Sequence, residues 1–132
     1  MEVPELILTF LVGGLGYGGL EILWRGHTHW TMLLLGGVCF TVIYALTVLT
    51  RLRLWETWFF SAAAVTGLEF LSGCVLNLYL GWNVWDYAGL PGNVLGQICP
   101  AYALGWLGLC VPSSFLALFL RRRFRRRKRG EG

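Results

Sequence analysis

Four long apolar runs are the feature that most limits what this chain can fold into. They are 18, 20, 23 and 23 residues long and cover residues 6–23, 30–49, 58–80 and 98–120. A helix needs roughly 20 mostly apolar residues to cross a bilayer, and lipid offers no partner to an open backbone, so such runs fold as helices. With 56% hydrophobic residues in 132, the chain leaves no room for a soluble domain. We therefore predict an all-α integral membrane protein, with one four-helix transmembrane domain over residues 1–120.

The basic residues are distributed unevenly around these runs. Eight of the eleven Lys and Arg lie in 121–129, two are Arg51 and Arg53, and Arg25 alone lies between the first and second runs. Four spans place both chain ends and the 51–53 connection on one side. Because the cytoplasmic side of a membrane protein is rich in Lys and Arg, we expect both termini to be cytoplasmic. The protein would be a multi-pass protein of the cell membrane with a basic cytoplasmic tail at 121–132.

The arginine run directly after the last span has two explanations. A row of Arg suits phosphate binding and hence nucleic acid, but attraction to anionic lipid headgroups accounts for it next to a span. We therefore expect the lipid bilayer, and no nucleic acid, as its partner.

Glu69 is the strongest candidate for a functional residue, since it lies twelve positions into the 23-residue third run. An acidic residue at mid-membrane costs roughly 2.5–3.5 kcal/mol on insertion. No Lys or Arg lies within any run to compensate it. Glu69 is then either protonated or faces water or polar partners inside the bundle. A proton, cation or substrate site and a hydrogen bond between helices both remain open for it.

The stretch between the third and fourth runs, "GWNVWDYAGLPGNVLGQICP" at 81–100, combines aromatics, turn formers and amides. One interpretation is a short re-entrant segment before the last span, which needs protein or a wet cavity around its backbone; the other is an ordinary capped loop. In the first case Asn93 would cap a short helix over 94–98. Asp86, Asn93 and Gln97 would then lie at the mouth of the cavity that Glu69 faces.

Other polar residues near the span ends suggest weaker sites. Glu21 precedes Arg25 by four residues, which favours an ion pair across one helical turn. His27 and His29 could chelate, but two histidines do not complete a zinc site. The four cysteines show no metal spacing and are typical of small packing residues. We therefore predict no metal, no cofactor and no catalytic residue, and a binding site of Glu69, Asp86, Asn93 and Gln97, with Glu21 as a further candidate.

Small residues at four-residue spacing indicate close helix packing, since lipid supplies no hydrophobic drive for association. Such pairs occur in the first, third and fourth runs as Gly14 and Gly18, Ala63 and Gly67, and Ala101 and Gly105. They predict a tight bundle, with a homo-oligomer face as a further use of the same residues.

The second half of the chain resembles the Putative ABC-transporter permease family, type IV group. The residues that carry the resemblance are "GLEFLSG" at 67–73, "WNVWDYAGLPGNVLGQIC" at 82–99 and "AYALGW" at 101–106. Matches to the family pattern fall on Glu69, Trp85, Asp86, Tyr87, Pro91, Asn93, Gly96, Gln97 and Cys99. In the first half the chain lacks the family's Asn-Arg-Gly element and its prolines. The resemblance implies a membrane protein of the transport-permease type with an ATPase subunit as partner, although the inner connection "TRLRLWET" offers an ATPase little surface.

Three functions follow from these features. The leading hypothesis is a small transport-type permease, or a permease subunit, with an intramembrane acidic site. The second is a membrane enzyme acting on lipid or envelope precursors, against which the chain has no nucleophile motif and no complete metal set. The third is a non-catalytic partner or sensor subunit that docks through its Arg tail.

Overall fold

The computed structural model describes residues 2–131, and the described chain is built from four long helices. Their bounds are α1 Val3–Arg25, α2 Trp30–Val48, α3 Leu54–Gly73, which continues as a π-helical end Cys74–Tyr79, and α4 Pro100–Glu131. All four are long and apolar enough to cross a membrane. The predicted all-α membrane architecture with four spans is therefore confirmed, although α1 and α3 begin three to four residues before the predicted spans.

Helices α1 and α2 pack most closely, and glycines make this contact possible. A Cβ added at Gly14 would lie 2.7 Å from the Leu33 carbonyl oxygen, and one added at Gly13 would lie 2.9 Å from the Gly36 oxygen. Gly18 faces the Leu33 side chain in the same way. The backbones approach each other through these positions, so the predicted packing role of Gly14 and Gly18 is confirmed.

The small residues of the other two helices lie elsewhere. Ala63 and Gly67 on α3, and Ala101 and Gly105 on α4, are exposed on the outside of the bundle, and a Cβ at either glycine would meet nothing within 4 Å. The prediction that they pack the bundle is wrong for these two pairs. The buried face of α3 carries Thr57, Ser61, Val65, Glu69 and Gly73 instead, which repeats every four residues as one helix face requires.

Long-range contacts show which chain segments share an end of the bundle. Arg121, near the end of α4, forms an ion pair with Glu5, near the start of α1. At the opposite end Arg25 donates to the Val84 carbonyl at 3.4 Å. The first turns of α1 and the basic extension of α4 therefore lie together, with the 81–99 segment at the other end, and the basic residues from 121 onward continue α4 as a helix.

The 81–99 segment covers its end of the bundle without forming a helix. Trp85 and Gln97 are buried, and the Trp85 indole donates to the Gln97 carbonyl at 3.0 Å. The short helix expected over 94–98 does not form, because Leu95 and Gly96 have φ angles of 54° and 72°, which no right-handed helix accommodates. Instead the chain makes a tight turn closed by a β-bridge between Val94 and Ile98.

Candidate functional site

Glu69 lies on the buried face of α3 with only 3% of its surface exposed. The Trp106 indole N–H donates to its Oε2 atom, and the Tyr87 hydroxyl is a second neutral polar group near the same carboxyl. Neither the Glu21–Arg25 ion pair nor the Glu5–Arg121 ion pair involves Glu69. Its carboxyl group is thus held by neutral donors from α4 and from the 81–99 segment.

Next to Glu69 is an inner cavity of about 290 Å³. All four helices contribute to its wall, which includes Tyr17, Phe40, Val65, Trp106 and Cys110. Most of the wall is apolar, and Glu69 is the charged residue that lines it. A buried carboxyl beside a cavity differs from a carboxyl packed wholly against protein, because the cavity has room for a ligand.

A second, outer cavity of about 350 Å³ lies toward the 81–99 segment. Glu21, Arg25 and Met32 contribute to its wall, together with the aromatic residues Trp24, Trp85, Tyr87 and Tyr102. Tyr17 and Trp106 line both cavities, and their rings stack with centroids 5.5 Å apart at 27°. This aromatic pair, one ring from α1 and one from α4, is part of the wall that the two spaces share.

Tyr87 is held in place by both its ring and its backbone. Its ring stacks on Tyr102 with centroids 4.6 Å apart, and its N–H donates to the Gly96 carbonyl at 2.7 Å. Burial is the main cause that raises the pKa of the Tyr87 hydroxyl, and the charge of Glu69 raises it further. The hydroxyl therefore remains protonated at neutral pH and can donate to the Glu69 carboxylate.

Glu21 is 6% exposed and lies near the outer end of α1. Its Oε1 atom lies 2.8 Å from Arg25 Nη2, one helical turn further along. The predicted ion pair between these residues is confirmed. Its location in the wall of the outer cavity was not evident from the four-residue spacing, because the cavity is closed by residues from α4 and from the 81–99 segment.

The other predicted site residues have local partners in the 81–99 segment. Asp86 is exposed and accepts the Ala88 N–H at 2.9 Å. Asn93 donates to the Ala88 and Leu90 carbonyls and accepts from Gly96.

Gln97 accepts from Asn77 at 2.8 Å and donates to the Leu95 carbonyl at 2.9 Å. Gln97, Asp86 and Asn93 are absent from the walls of both the inner and the outer cavity. The structure thus places Glu69 among aromatic residues. Gln97, Asp86 and Asn93 lie together in the 81–99 segment, which covers this end of the bundle.

A polar cluster at the opposite end of the bundle was missed by the sequence analysis. Arg121 Nη1 contacts both carboxylate oxygens of Glu5, at 2.8 and 3.0 Å, and the Tyr44 hydroxyl also donates to Glu5. Residues 5 and 121 lie just beyond the limits of the predicted spans, and neither was among the predicted site residues. The sequence did hold one signal for this ion pair: Glu5 and Arg121 have opposite charges and flank predicted spans at the same membrane face.

Helix capping and core packing account for His29 and for the buried cysteines Cys39 and Cys110. His29 Nδ1 accepts the Thr31 N–H at 3.3 Å and caps the start of α2. Cys39 and Cys110 pack in the hydrophobic core with Val65, and all four cysteines are free. Within residues 2–131 no three His, Cys, Asp or Glu side chains are grouped as a metal site would require.

Comparison with known proteins shows the family of the chain. The model of the family described as Putative ABC-transporter type IV matches residues 10–127. The match includes the first two helices, so the prediction that the resemblance is clearest in the second half was too narrow. No solved structure matches the chain.

Proposed function

The chain belongs to the Putative ABC-transporter type IV family, and on that premise we propose that it is a small transport-type permease or permease subunit of the cell membrane. Its binding site is the inner cavity, and Glu69 is the group that binds a proton, a cation or a cationic part of the substrate. The proposal rests on one observation: a carboxyl buried among four apolar helices faces a cavity and has only neutral donors as partners.

The chemistry of Glu69 supports this use. A buried carboxylate without an ion pair is unfavourable, so a proton or cation that enters the cavity gains the full attraction of that group. Acidic residues inside membrane spans commonly mark ion and substrate paths for this reason. The aromatic faces of Tyr17 and Trp106 add a second attraction for a cation that reaches the cavity.

The aromatic pair supports a way to control access. A ligand that passes from the outer to the inner cavity must part the stacked rings of Tyr17 and Trp106. Trp106 also donates to Glu69, so a cation on this carboxylate competes with the indole N–H. Binding at Glu69 and opening of the aromatic pair would therefore be coupled through a single side chain.

The test is charge movement in proteoliposomes on a solid-supported membrane. The solution is switched in separate runs to lower pH, to sodium and to tetraethylammonium, and the transient current is recorded. We expect a current for at least one of these switches, its loss in Glu69→Gln, and an unchanged current in Glu56→Gln. Glu56 is the matched control because it is only partly buried and lies in the first turn of α3, far along the helix from residue 69.

A current that persists in Glu69→Gln would exclude Glu69 as the charged site. A wild-type protein silent to all three switches would count against autonomous transport. The subunit form of the proposal would then be tested by purification in mild detergent and native mass spectrometry. An ATPase that copurifies with the wild type and is lost on deletion of 122–132 would support a docking role for the basic end of α4.

A further inference from the structure

The outer cavity contains an unusual concentration of buried polar atoms that lack hydrogen bonds. Among residues 2–131 the buried side-chain atoms without a hydrogen bond that belong to its wall are both carboxylate oxygens of Glu21 and Nε of Arg25. Glu21 Oε1 lies close to Arg25 but makes no hydrogen bond of acceptable geometry. Because orphaned buried donors and acceptors are unfavourable, this group indicates a ligand that supplies their partners.

The charges of these groups define the ligand. Glu21 offers acceptors to a positive group that carries N–H donors, and Arg25 offers a donor to an anion, for which guanidinium and phosphate are well matched. The two stand one helical turn apart in α1. A single zwitterion with an ammonium close to a phosphate satisfies both.

The surroundings of the outer cavity indicate that the zwitterion has an apolar body. Leu20 and Leu109 line both cavities and are 50% and 38% exposed on α1 and α4, and Trp24 at the outer rim is 78% exposed. In a membrane these surfaces face lipid, so the outer cavity opens sideways between α1 and α4.

We propose that the outer cavity binds the headgroup of an aminophospholipid of the phosphatidylethanolamine type. The ammonium lies on Glu21, the phosphate lies on Arg25, and an acyl chain follows the opening between α1 and α4. A primary ammonium is preferred to choline, because the Glu21 oxygens, which pair with Arg25 but accept no hydrogen bond, need N–H donors that a quaternary ammonium lacks. This site depends on Glu21 and Arg25, and not on the function proposed for Glu69.

The test is native mass spectrometry of delipidated protein incubated with equimolar phosphatidylethanolamine, phosphatidylcholine and phosphatidylglycerol. We expect the wild type to retain phosphatidylethanolamine preferentially. Glu21→Gln should reduce the ratio of bound phosphatidylethanolamine to phosphatidylglycerol about tenfold, as expected for loss of one charge-assisted hydrogen bond. Glu56→Gln and Glu69→Gln should keep the wild-type ratio. The ratio separates recognition from folding, since a general structural defect lowers retention of every lipid.

A second measurement uses only the wild type, in case Glu21→Gln does not fold. Phosphatidylethanolamine with brominated acyl chains should quench tryptophan fluorescence, because Trp24 and Trp106 line the cavities, and unlabelled phosphatidylethanolamine should reverse it. Equal retention of the three lipids, or an unchanged ratio in Glu21→Gln, would overturn the proposal. So would water-soluble phosphoethanolamine competing as well as the whole lipid, since the ligand would then be a free zwitterion.

Discussion

Glu5 and Glu69 are buried to almost the same degree, 4% and 3% exposed, yet their environments differ in kind. Glu5 is paired in a bidentate contact with Arg121 and accepts from Tyr44. Glu69 has only neutral donors and a cavity beside it. Burial of a carboxyl therefore does not by itself indicate a functional site. The partners differ: Glu5 is paired with a cation on another helix, whereas Glu69 accepts from a neutral indole and is the binding group in the function proposed above.

The largest effect on stability should come from Arg121→Gln. It leaves Glu5 buried without its cation, and removal of one partner of a buried ion pair costs about 3 kcal/mol or more. The measurement is thermal unfolding in detergent, followed by a thiol-reactive dye that reports exposure of the buried Cys39, Cys99 and Cys110. Arg122→Gln is the control, because Arg122 is exposed on the same helix. Equal melting temperatures of the two variants would show that the Glu5 pair does not stabilise the bundle.

Trp106→Phe should have the next largest effect, since it keeps an aromatic ring opposite Tyr17 but removes the N–H that donates to Glu69. A hydrogen bond to a charged acceptor contributes about 1.5–3 kcal/mol. The matched control is Trp58→Phe, whose indole N–H donates to the neutral Ser114 hydroxyl at 2.8 Å. If unfolding in detergent shows the same loss for both substitutions, Glu69 does not carry a charge in the resting protein.

Tyr87→Phe should destabilise less, by about 1 kcal/mol, because one hydroxyl donor is lost and the stack on Tyr102 remains. Tyr102→Phe is the control, with the same atoms removed from the other ring of the stack. The measurement is the same thermal unfolding, together with the current described above for Glu69. A current unaffected in Tyr87→Phe would assign the Tyr87 hydroxyl to structure alone.

The smallest effect on stability is expected for Glu69→Gln, within about 1 kcal/mol of the wild type, because a glutamine oxygen still accepts from Trp106. The same substitution should abolish function while membrane insertion is retained. Glu5→Gln is the complementary variant: it weakens the Arg121 contact and should lower the melting temperature while the current persists. If Glu5→Gln abolished the current and Glu69→Gln lowered the melting temperature, the distinction between the two glutamates would be wrong.

The site was predictable in part because some of its signals are local. Glu69 stands out as an uncompensated acid in an apolar run, and the Glu21–Arg25 pair follows from one turn of helix. The role of Trp106 was not visible in this way, because its contact with Glu69 joins residues 37 positions apart. Asp86 and Asn93 were expected at a cavity mouth, but their short polar side chains bond to the turns beside them, as such residues commonly do.

The limits of the spans, like the site, depend partly on local sequence and partly on long-range contacts. Glu5 and Arg121 lie just outside the first and last apolar runs, whereas in the structure both helices extend through these positions and the two side chains contact each other. That contact joins residues 116 positions apart and depends on how α1 and α4 are placed.

The sequence by itself determined the four helices, because length and apolar composition are local properties and lipid leaves the backbone no other way to satisfy its hydrogen bonds. The tertiary structure alone decided which small residues face a neighbouring helix, which carboxyl is paired, and where the cavities lie. Helix association in lipid has no general hydrophobic drive. These outcomes therefore depend on close contacts between side chains from distant parts of the chain.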